Sequence, residues 1–167
     1  IIADVVLNQT TGADVADGKQ TGVAGTEYNG STGDYPGFAT EQYPEGITAS
    51  DFHSCSKNIS NYANQQEVQE CRLSSMWDFD SESEKVQDIQ SDYLAALWNA
   101  GVRGFRMDAV KHIHTDSMKA IKEKFAKKIG VNADSIYWIQ EVIGNSSEAA
   151  GIQPSNYVQN GTVTEFG

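Results

Sequence analysis

The sequence predicts an α/β fold in which parallel strands alternate with helices. Short apolar runs alternate with longer segments of helical periodicity, in the order strand, insertion, helix, strand, helix, strand, helix, strand. The first run, Ile1–Asn8, is almost continuously apolar, as is typical of a strand buried on both faces of a parallel sheet. This order fits either a doubly wound sheet or a (β/α)8 barrel.

Length and charge restrict the classes of function. The chain has 167 residues, enough for one domain with a sizeable core, and a net charge of −11. The acidic balance argues against a nucleic-acid partner, and no apolar run approaches the ~20 residues that cross a membrane. The chain begins inside a strand-like run, so we expect no signal peptide here. Because residues 162–167 read as another strand, we expect this sequence to be a fragment of a longer protein.

Residues 9–80 change character, because Gly, Thr, Ser, Asn and Tyr dominate and periodicity is poor. A stretch of this length predicts an inserted, loop-rich subdomain rather than a plain connection. Cys55 and Cys71 form either a disulfide or two free thiols, of which we favour the disulfide; neither lies in a zinc-type motif. Asn-x-Ser/Thr sequons in polar stretches, among them those at Asn29, Asn58, Asn145 and Asn160, give weak support for secretion.

Two amphipathic helices flank the second strand, Val102–Val110. Ser81 and Glu84 fit a capping box for the first helix, which Gly101 ends. Its predicted apolar stripe consists of Val86, Ile89, Tyr93, Leu97 and Ala100. Asp116 is the predicted cap of the second helix, which Gly130 closes. Its stripe consists of Met118, Ile121, Phe125 and Ile129, with Lys119, Lys122, Lys124, Lys127 and Lys128 predicted on the solvent side.

The remaining segments complete the alternation. Residues 135–143 predict the third strand, a looser helical segment follows around residues 147–150, and Gly161 precedes a fourth strand at 162–166. The chain contains neither GxGxxG nor GxxxxGK[ST], so a nucleotide-binding function has no support.

Charged residues at the predicted strand ends carry the candidate chemistry. Arg106 and Asp108 lie two residues apart and therefore on one side of a strand, which is costly unless the two ions pair. In a parallel barrel the carboxyl ends of the strands carry the chemistry, and here they hold Asn8, Asp108 and Glu141. Carboxylates on neighbouring strands, ~4.8 Å apart, suit a retaining glycosidase, whose nucleophile and acid lie ~5–5.5 Å apart. A structural Arg106–Asp108 pair with a solvent-exposed Glu141 explains the spacing equally well.

A family resemblance favours the catalytic interpretation of Asp108 and Glu141 over the structural ion pair. The segments DVVLNQ (4–9), GFRMDAVKH (104–112) and EVIG (141–144) resemble three conserved regions of the α-amylase family, glycoside hydrolase family 13, in the family's order. The segment CRLSSMWDFD (71–80) resembles the return from domain B in animal-type members. The resemblance implies a partial (β/α)8 TIM barrel from about strand 3 to strand 6. Residues 1–8 would form strand 3, residues 9–80 the inserted domain B, and residues 81–167 the helices and strands 4 to 6.

The resemblance also implies an activity. This is endo-hydrolysis of α-1,4-glucosidic bonds in starch, glycogen and malto-oligosaccharides by a retaining double displacement. Asp108 matches the nucleophile and Glu141 the general acid/base. Arg106 matches the arginine that orients the nucleophile and, in chloride-dependent members, helps to bind chloride. The other residues implied to contact substrate are Tyr62, Lys111 and His112.

A calcium site is implied as well. Asn8 and Asp78 match its side-chain ligands, and Gln69 and His112 match ligands that act through their backbone carbonyls; all are oxygens, as Ca²⁺ requires. The ion would tie domain B to the barrel. Cys55 and Cys71 match a domain-B disulfide of the animal-type enzymes, which are secreted, and we expect the full-length protein to be a monomer. We infer from the two charges on adjacent strands that Asp4 pairs with Arg106.

Two departures from the family pattern qualify the prediction. Gln9 stands where the family usually has a substrate-contacting His, and it retains hydrogen bonding to sugar but not a positive charge. The resemblance implies a third catalytic Asp that would lie beyond Gly167, so we expect the fragment alone to be inactive. The alternatives are an α-glucosidase or transglycosylase of the same family, and a non-catalytic glucan-binding relative. Such relatives tend to lose the two carboxylates, which Asp108 and Glu141 retain here.

Overall fold

The computed structural model describes residues 1–10, 19–23, 25, 27–29 and 46–164. A four-stranded sheet lies at its centre, with the spatial order β1-β4-β5-β6 and every neighbouring pair parallel. Its strands are β1 (Ile2–Val5), β4 (Gly104–Met107), β5 (Tyr137–Gln140) and β6 (Thr162–Val163). The predicted alternation and parallel pairing are therefore confirmed, although each strand is shorter than expected. Part of the fourth predicted strand, residues 165–167, lies outside the described residues.

Three helices and a small hairpin accompany this sheet. The hairpin pairs β2 (Lys19–Thr21) with β3 (Glu27–Asn29) antiparallel. The helices are α1 (Gln65–Glu70), α2 (Glu84–Asn99) and α3 (Thr115–Ile129). Where a looser helix was predicted near residues 147–150, the chain instead forms two 3₁₀ turns, Ala150–Ile152 and Pro154–Asn156. Among the described residues, no helix combines the length and apolar character that a membrane span requires.

The core lies between the sheet and the pair α2 and α3. Phe105 on β4 contacts Phe125 of α3 edge to face, with ring centroids 5.2 Å apart, and Trp138 of β5 at 6.1 Å. Phe105 and Phe125 are fully buried. Trp98 of α2 also contacts Phe125, with ring centroids 6.1 Å apart. Burial of aromatic side chains of this size dominates the packing energy, so these contacts fix both helices on one face of the sheet.

The prediction that the first strand is buried on both faces is wrong. Val5 and Leu7 are buried in the core, but Ile2 is 54% exposed and Val6 48% exposed. The side chain of Asp4, on the same side as Ile2, is 66% exposed. The reason is that α2 and α3 pack against one face of the sheet only. β1 therefore alternates like a strand with one covered face.

Helix α2 departs from its predicted cap and stripe. It begins at Glu84 with Ser83 as N-cap, not Ser81. Leu94 is fully buried whereas Tyr93 is 45% exposed, so the buried stripe is rotated from the predicted one. Glutamines can occupy that stripe because their amide donors are bonded: Nε2 of Gln90 donates to the Leu7 carbonyl at 2.8 Å, and Nε2 of Gln87 to the Ser81 carbonyl at 2.9 Å.

Helix α3 follows the prediction more closely. His114, not Asp116, is its N-cap, and Gly130 ends it with a φ of 71° in the left-handed region. Three of the four stripe residues, Met118, Ile121 and Phe125, are fully buried. Lys122 was expected in solvent but is buried, because its ammonium donates to the Asn160 carbonyl at 2.7 Å.

Among its described residues, the insertion contains little regular structure. A disulfide joins Cys55 to Cys71, which confirms the favoured of the two cysteine interpretations. Asn64 caps α1, and Glu67 in its first turn accepts hydrogen bonds from the amides of Ser60 and Asn61. These bonds lower the pKa of Glu67 to about 2 and fix the loop after the disulfide against α1.

Candidate active site

One arginine binds three carboxylates at the carboxyl edge of the sheet. Asp4 and Arg106 are register partners on β1 and β4, and Nη1 of Arg106 lies 2.7 Å from Oδ1 of Asp4. The same Nη1 lies 2.7 Å from Oδ1 of Asp108, and Nη2 lies 2.7 Å from Oε1 of Glu141. The Asp4 hydrogen bond, then that of Asp108, raise the pKa of the guanidinium well above its ordinary value despite partial burial.

Strand register brings Asp108 and Glu141 to one height. Met107 and Gln140 are partners on β4 and β5, and each candidate carboxylate follows directly. The Asp108 amide donates to the Val5 carbonyl at 2.8 Å and the Glu141 amide to the Met107 carbonyl at 2.9 Å, so the ladder continues through both residues. Glu141 is 19% exposed and ion-paired. The alternative of a solvent-exposed Glu141 is therefore wrong.

A left-handed residue orients Glu141. Ala109 has φ 51° and ψ 35°, a conformation that L-residues rarely adopt. Its amide donates to Oε2 of Glu141 at 3.0 Å, and the Val110 amide donates to the Glu141 carbonyl at 3.0 Å. Both oxygens of the carboxylate are thus held, one by Ala109 and one by Arg106. A strained turn that positions a functional side chain is a recurrent feature of catalytic sites.

A cleft of about 340 Å³ opens beside Glu141. The ammonium of Lys111 contacts both oxygens of Glu148, at 3.0 and 2.8 Å, and lies 5.2 Å from the ring centroid of Tyr62. Burial, followed by the nearby Glu148 charge, raises the pKa of Tyr62. The residues that line the cleft are Tyr62, Leu73, Ala109, Lys111, His112, Glu141, Ile143 and Glu148. The cleft thus brings together residues that precede α2 in the sequence, Tyr62 and Leu73, and residues that follow it.

A buried tyrosine supports the cleft wall. Tyr157 is fully buried; its hydroxyl accepts from the Gln69 amide at 3.0 Å and donates to the Ile113 carbonyl at 3.0 Å. Nδ1 of His112 donates to the Val68 carbonyl at 3.0 Å, and burial lowers the pKa of this imidazole. These bonds fix the turn 110–113 against α1. His112 therefore lies in the cleft wall as a neutral donor.

Asn8 and Asp78 lie together just beyond the carboxyl end of β1. Gln9 and Asp78 form an antiparallel bridge, and both Asn8 and Asp78 are almost fully buried. Oδ2 of Asp78 accepts from Nδ1 of His53 at 2.7 Å, whereas its Oδ1 has no hydrogen-bond partner. Burial raises the pKa of Asp78 to about 6, against the opposing effect of His53. A buried carboxylate oxygen without a donor is a place where a cation fits.

Sequence reasoning and structure differ over which residues surround the site. Arg106, Lys111, His112 and Tyr62 lie in or beside the cleft, while Gln9 is not among its lining residues. The sequence missed Glu148, Leu73, Ile143 and Tyr157 as site residues. Leu73 and Tyr157 lie in stretches without periodicity, whereas Ile143 ends the predicted third strand and Glu148 lies in the predicted looser helical segment. Glu148 could have been found only by asking which acidic residue pairs with Lys111, and the burial of Lys111 is seen only in the structure.

Three comparisons relate the chain to known proteins. No family model matches it. It is 36% identical over 167 residues to an α-amylase of Thermomonospora curvata and 33% identical over 172 residues to the pancreatic α-amylase 2a5 of Mus musculus. These alignments cover 99% of this chain but 25% and 32% of the two relatives, so the chain spans about a quarter to a third of their length.

Solved structures give the same result. The crystal structure of α-amylase I from Eisenia fetida matches with a TM-score of 0.77 and 32% identity, covering 96% of this chain and 32% of the other. A mutant of the same earthworm enzyme in a maltohexaose complex matches equally well. The arrangement of sheet, helices and insertion is therefore shared with these neighbours. Their 32% sequence identity to this chain is close to the 33–36% of the two curated relatives.

Proposed function

The chain is a relative of the α-amylases, and on that basis we propose that it carries the two catalytic carboxylates of a retaining, endo-acting α-1,4-glucan hydrolase. Starch, glycogen and malto-oligosaccharides would be its substrates. One observation carries the proposal: Asp108 and Glu141 end adjacent parallel strands and bind the same guanidinium. Two carboxylates held at one height are what a retaining glycosidase needs.

The proposed architecture is a segment of a (β/α)8 barrel. In this reading β1, β4, β5 and β6 are barrel strands 3 to 6, residues 9–80 are domain B, and residues 81–167 are barrel. The parallel strand order supports this reading, as do the exposed side chains on the face opposite α2 and α3. In a closed barrel that face, with Asp4 and Arg106, would point inward.

Asp108 and Glu141 divide the proposed reaction between them. Asp108 attacks the anomeric carbon while Glu141 gives its proton to the departing glycosidic oxygen, leaving a glycosyl ester on Asp108. In the second step Glu141 takes a proton from water, whose oxygen attacks the anomeric carbon. The bond from that carbon to the Asp108 oxygen breaks, which releases the sugar and restores the Asp108 carboxylate. Arg106 aims Asp108 through the 2.7 Å contact of its Nη1 with Oδ1 of that carboxylate.

The cleft supplies the proposed sugar contacts. Tyr62 offers an aromatic face and a hydroxyl, Lys111 an ammonium already held by Glu148, and neutral His112 a hydrogen-bonding edge. Gln9 would contribute an amide from the end of β1. Groups already fixed by other bonds lose little entropy on binding a sugar, which favours productive orientation.

Calcium is the proposed structural ion. The side chains of Asn8 and Asp78 and the carbonyls of Gln69 and His112 would hold it, and the unpaired buried Oδ1 of Asp78 supports this assignment. When bound, the ion neutralises buried carboxylate charge and cross-links the insertion to the sheet. In the chloride-dependent variant of the mechanism, Arg106 would also contact the anion. The disulfide supports a secreted enzyme, and we propose a full-length monomer.

The test uses the protein that carries this segment. We expect Asp108→Asn and Glu141→Gln each to lower kcat on starch at least about 1,000-fold while retaining malto-oligosaccharide binding. The control is Asp134→Asn, which likewise replaces a carboxylate by an amide but lies in a 3₁₀ turn that does not line the cleft. Substantial turnover by Asp108→Asn would refute the assignment. Exclusive release of glucose from chain ends would indicate an α-glucosidase instead.

A further inference from the structure

We propose that His53, Asp80 and Glu82 form a binding site for a divalent transition-metal ion of the Zn²⁺ type, distinct from the proposed calcium ligands. His53 lies in the insertion just before the disulfide, and the two carboxylates lie where the insertion returns to α2. Their candidate ligand atoms, one from each residue, all lie within 4.8 Å of one another.

His53 contacts Glu82 directly through a long hydrogen bond, whereas Asp80 lies too far away for one, and both separations fit a shared ion. Nε2 of His53 lies 3.2 Å from Oε2 of Glu82 and 3.7 Å from Oδ1 of Asp80. The longer separation is beyond hydrogen-bond range. Two ligands of a tetrahedral zinc, each about 2.0–2.2 Å from the metal, are about 3.3–3.6 Å apart. The three atoms therefore need only small shifts to coordinate one ion.

Two further contacts orient the proposed ligands. Nδ1 of His53 donates to the buried Asp78 carboxylate at 2.7 Å, which directs Nε2 toward Asp80 and Glu82. Nε2 of His114 lies 2.7 Å from Oε1 of Glu82 and so leaves Oε2 available. Carboxylate-to-histidine contacts of this kind are the usual outer shell of a zinc site. Asp78 and His114 are thus positioning residues rather than ligands.

The donor set selects the class of metal. One imidazole nitrogen with two carboxylate oxygens suits Zn²⁺, whereas Ca²⁺ takes six to eight oxygens. Three protein ligands leave a fourth position for water or an anion. The side chains of Asp80 and Glu82 are 37% and 38% exposed, so an ion can reach them from solvent. A bound ion would fasten the insertion to the entry of α2.

Titration with ZnCl₂ by calorimetry, in excess calcium and without substrate, tests the site on the protein that carries this segment. We expect one zinc ion per chain, and a loss of affinity of at least about 100-fold in His53→Gln and in Asp80→Asn. His114→Gln should weaken binding by about 10-fold. Glu123→Gln, which removes an exposed carboxylate from α3, should bind zinc as the parent does.

Two safeguards keep the test decisive. His53→Gln also removes the bond to Asp78 and could unfold the region, so circular dichroism is recorded for each variant. Asp80→Asn changes a more exposed side chain and carries the conclusion if His53→Gln does not fold. No zinc binding by the parent, or parent-like binding by both variants, would overturn the proposal. Because no substrate is used, either result leaves the proposed glucan hydrolysis to its own test.

Discussion

At the scale of single residues, Arg106 determines the geometry of the candidate site. Alternation along a strand predicted that Arg106 and Asp108 share a side and pair. Two charges on adjacent strands predicted that Asp4 pairs with Arg106. The contact between Arg106 and Glu141 was not predictable, because it depends on the left-handed turn at Ala109. Strand periodicity specifies the side of a residue, whereas the direction of its terminal atoms depends on tertiary packing.

The first prediction concerns the shape of that guanidinium. Arg106→Lys keeps the positive charge but loses the fork that reaches Asp4, Asp108 and Glu141 together. We expect kcat on a malto-oligosaccharide to fall about 100-fold, because the nucleophile is no longer aimed. Steady-state kinetics on the protein that carries this segment provide the measurement.

Asp4→Asn is the matched control for Arg106→Lys. It alters the one partner of Arg106 that is neither the proposed nucleophile nor the proposed acid, so the loss of kcat should be much smaller. Equal losses in the two variants would show that Arg106 acts through Asp4 rather than by holding the catalytic pair.

The second prediction concerns Lys111 and Glu148. Their side chains are 9% and 14% exposed, so removing either one leaves the other charge with little water. A double-mutant cycle of Lys111→Met and Glu148→Gln should give a coupling of about 1–3 kcal/mol in the free energy of unfolding. Urea denaturation measures it. A coupling near that of the exposed Lys119–Glu123 pair would show that the buried bridge contributes no more than a surface one.

At the scale of elements, the order of strands and helices was predictable, but not their ends and faces. The buried face of helix α3 agrees with the predicted apolar stripe, because that stripe faces one continuous core. Helix α2 did not, because glutamine side chains that cap loop carbonyls occupy part of its buried face and Tyr93 lies outside it. Periodicity counts apolar residues and cannot identify a buried amide whose partner lies in a distant segment.

The third prediction concerns Lys122, the buried lysine of α3. Burial lowers the pKa of its ammonium below the ordinary 10.5, although Asp134 acts in the opposite direction. Below the folded-state pKa, Lys122 is protonated in both the folded and the unfolded state, so desolvation of the buried ammonium destabilises the folded state in full. As pH rises from that pKa to 10.5, the folded state loses its proton first, so this contribution stabilises the fold increasingly.

Lys122→Met tests this sign. The free energy of unfolding of the parent relative to Lys122→Met should increase between pH 7 and pH 10.5, as measured by urea denaturation at several pH values. Lys119→Met removes a charge from the exposed side of the same helix and controls for net charge. A parent-to-variant difference that is constant, or that falls with pH, would contradict the burial argument.

At the scale of the whole molecule, one sheet face is covered and the other carries the polar site. Helices α2 and α3 bury Phe105 and its neighbours, while Ile2, Val6 and Tyr137 are about half exposed. The sequence could predict parallel strands and an insertion, but not this asymmetry, because an apolar run reads alike whether one face or two are covered. Exposed aliphatic side chains beside catalytic candidates are consistent with the proposed barrel interior.

The last prediction concerns the ion that would join the insertion to the sheet. Because Asp78 presents an unpaired buried oxygen beside Asn8, calcium should bind the folded state and not the unfolded chain. At 100 times its Kd, an ion of this kind adds about 2.7 kcal/mol to the free energy of unfolding. Chelation should therefore lower Tm, and added calcium should restore it.

Two variants separate the calcium site from the proposed zinc site. In Asp78→Asn, added calcium should no longer raise Tm. In Glu82→Gln, calcium should still raise Tm, but zinc should no longer bind. An undiminished calcium response in Asp78→Asn would place the ion elsewhere, and loss of both metals in Glu82→Gln would mean that the two sites are one.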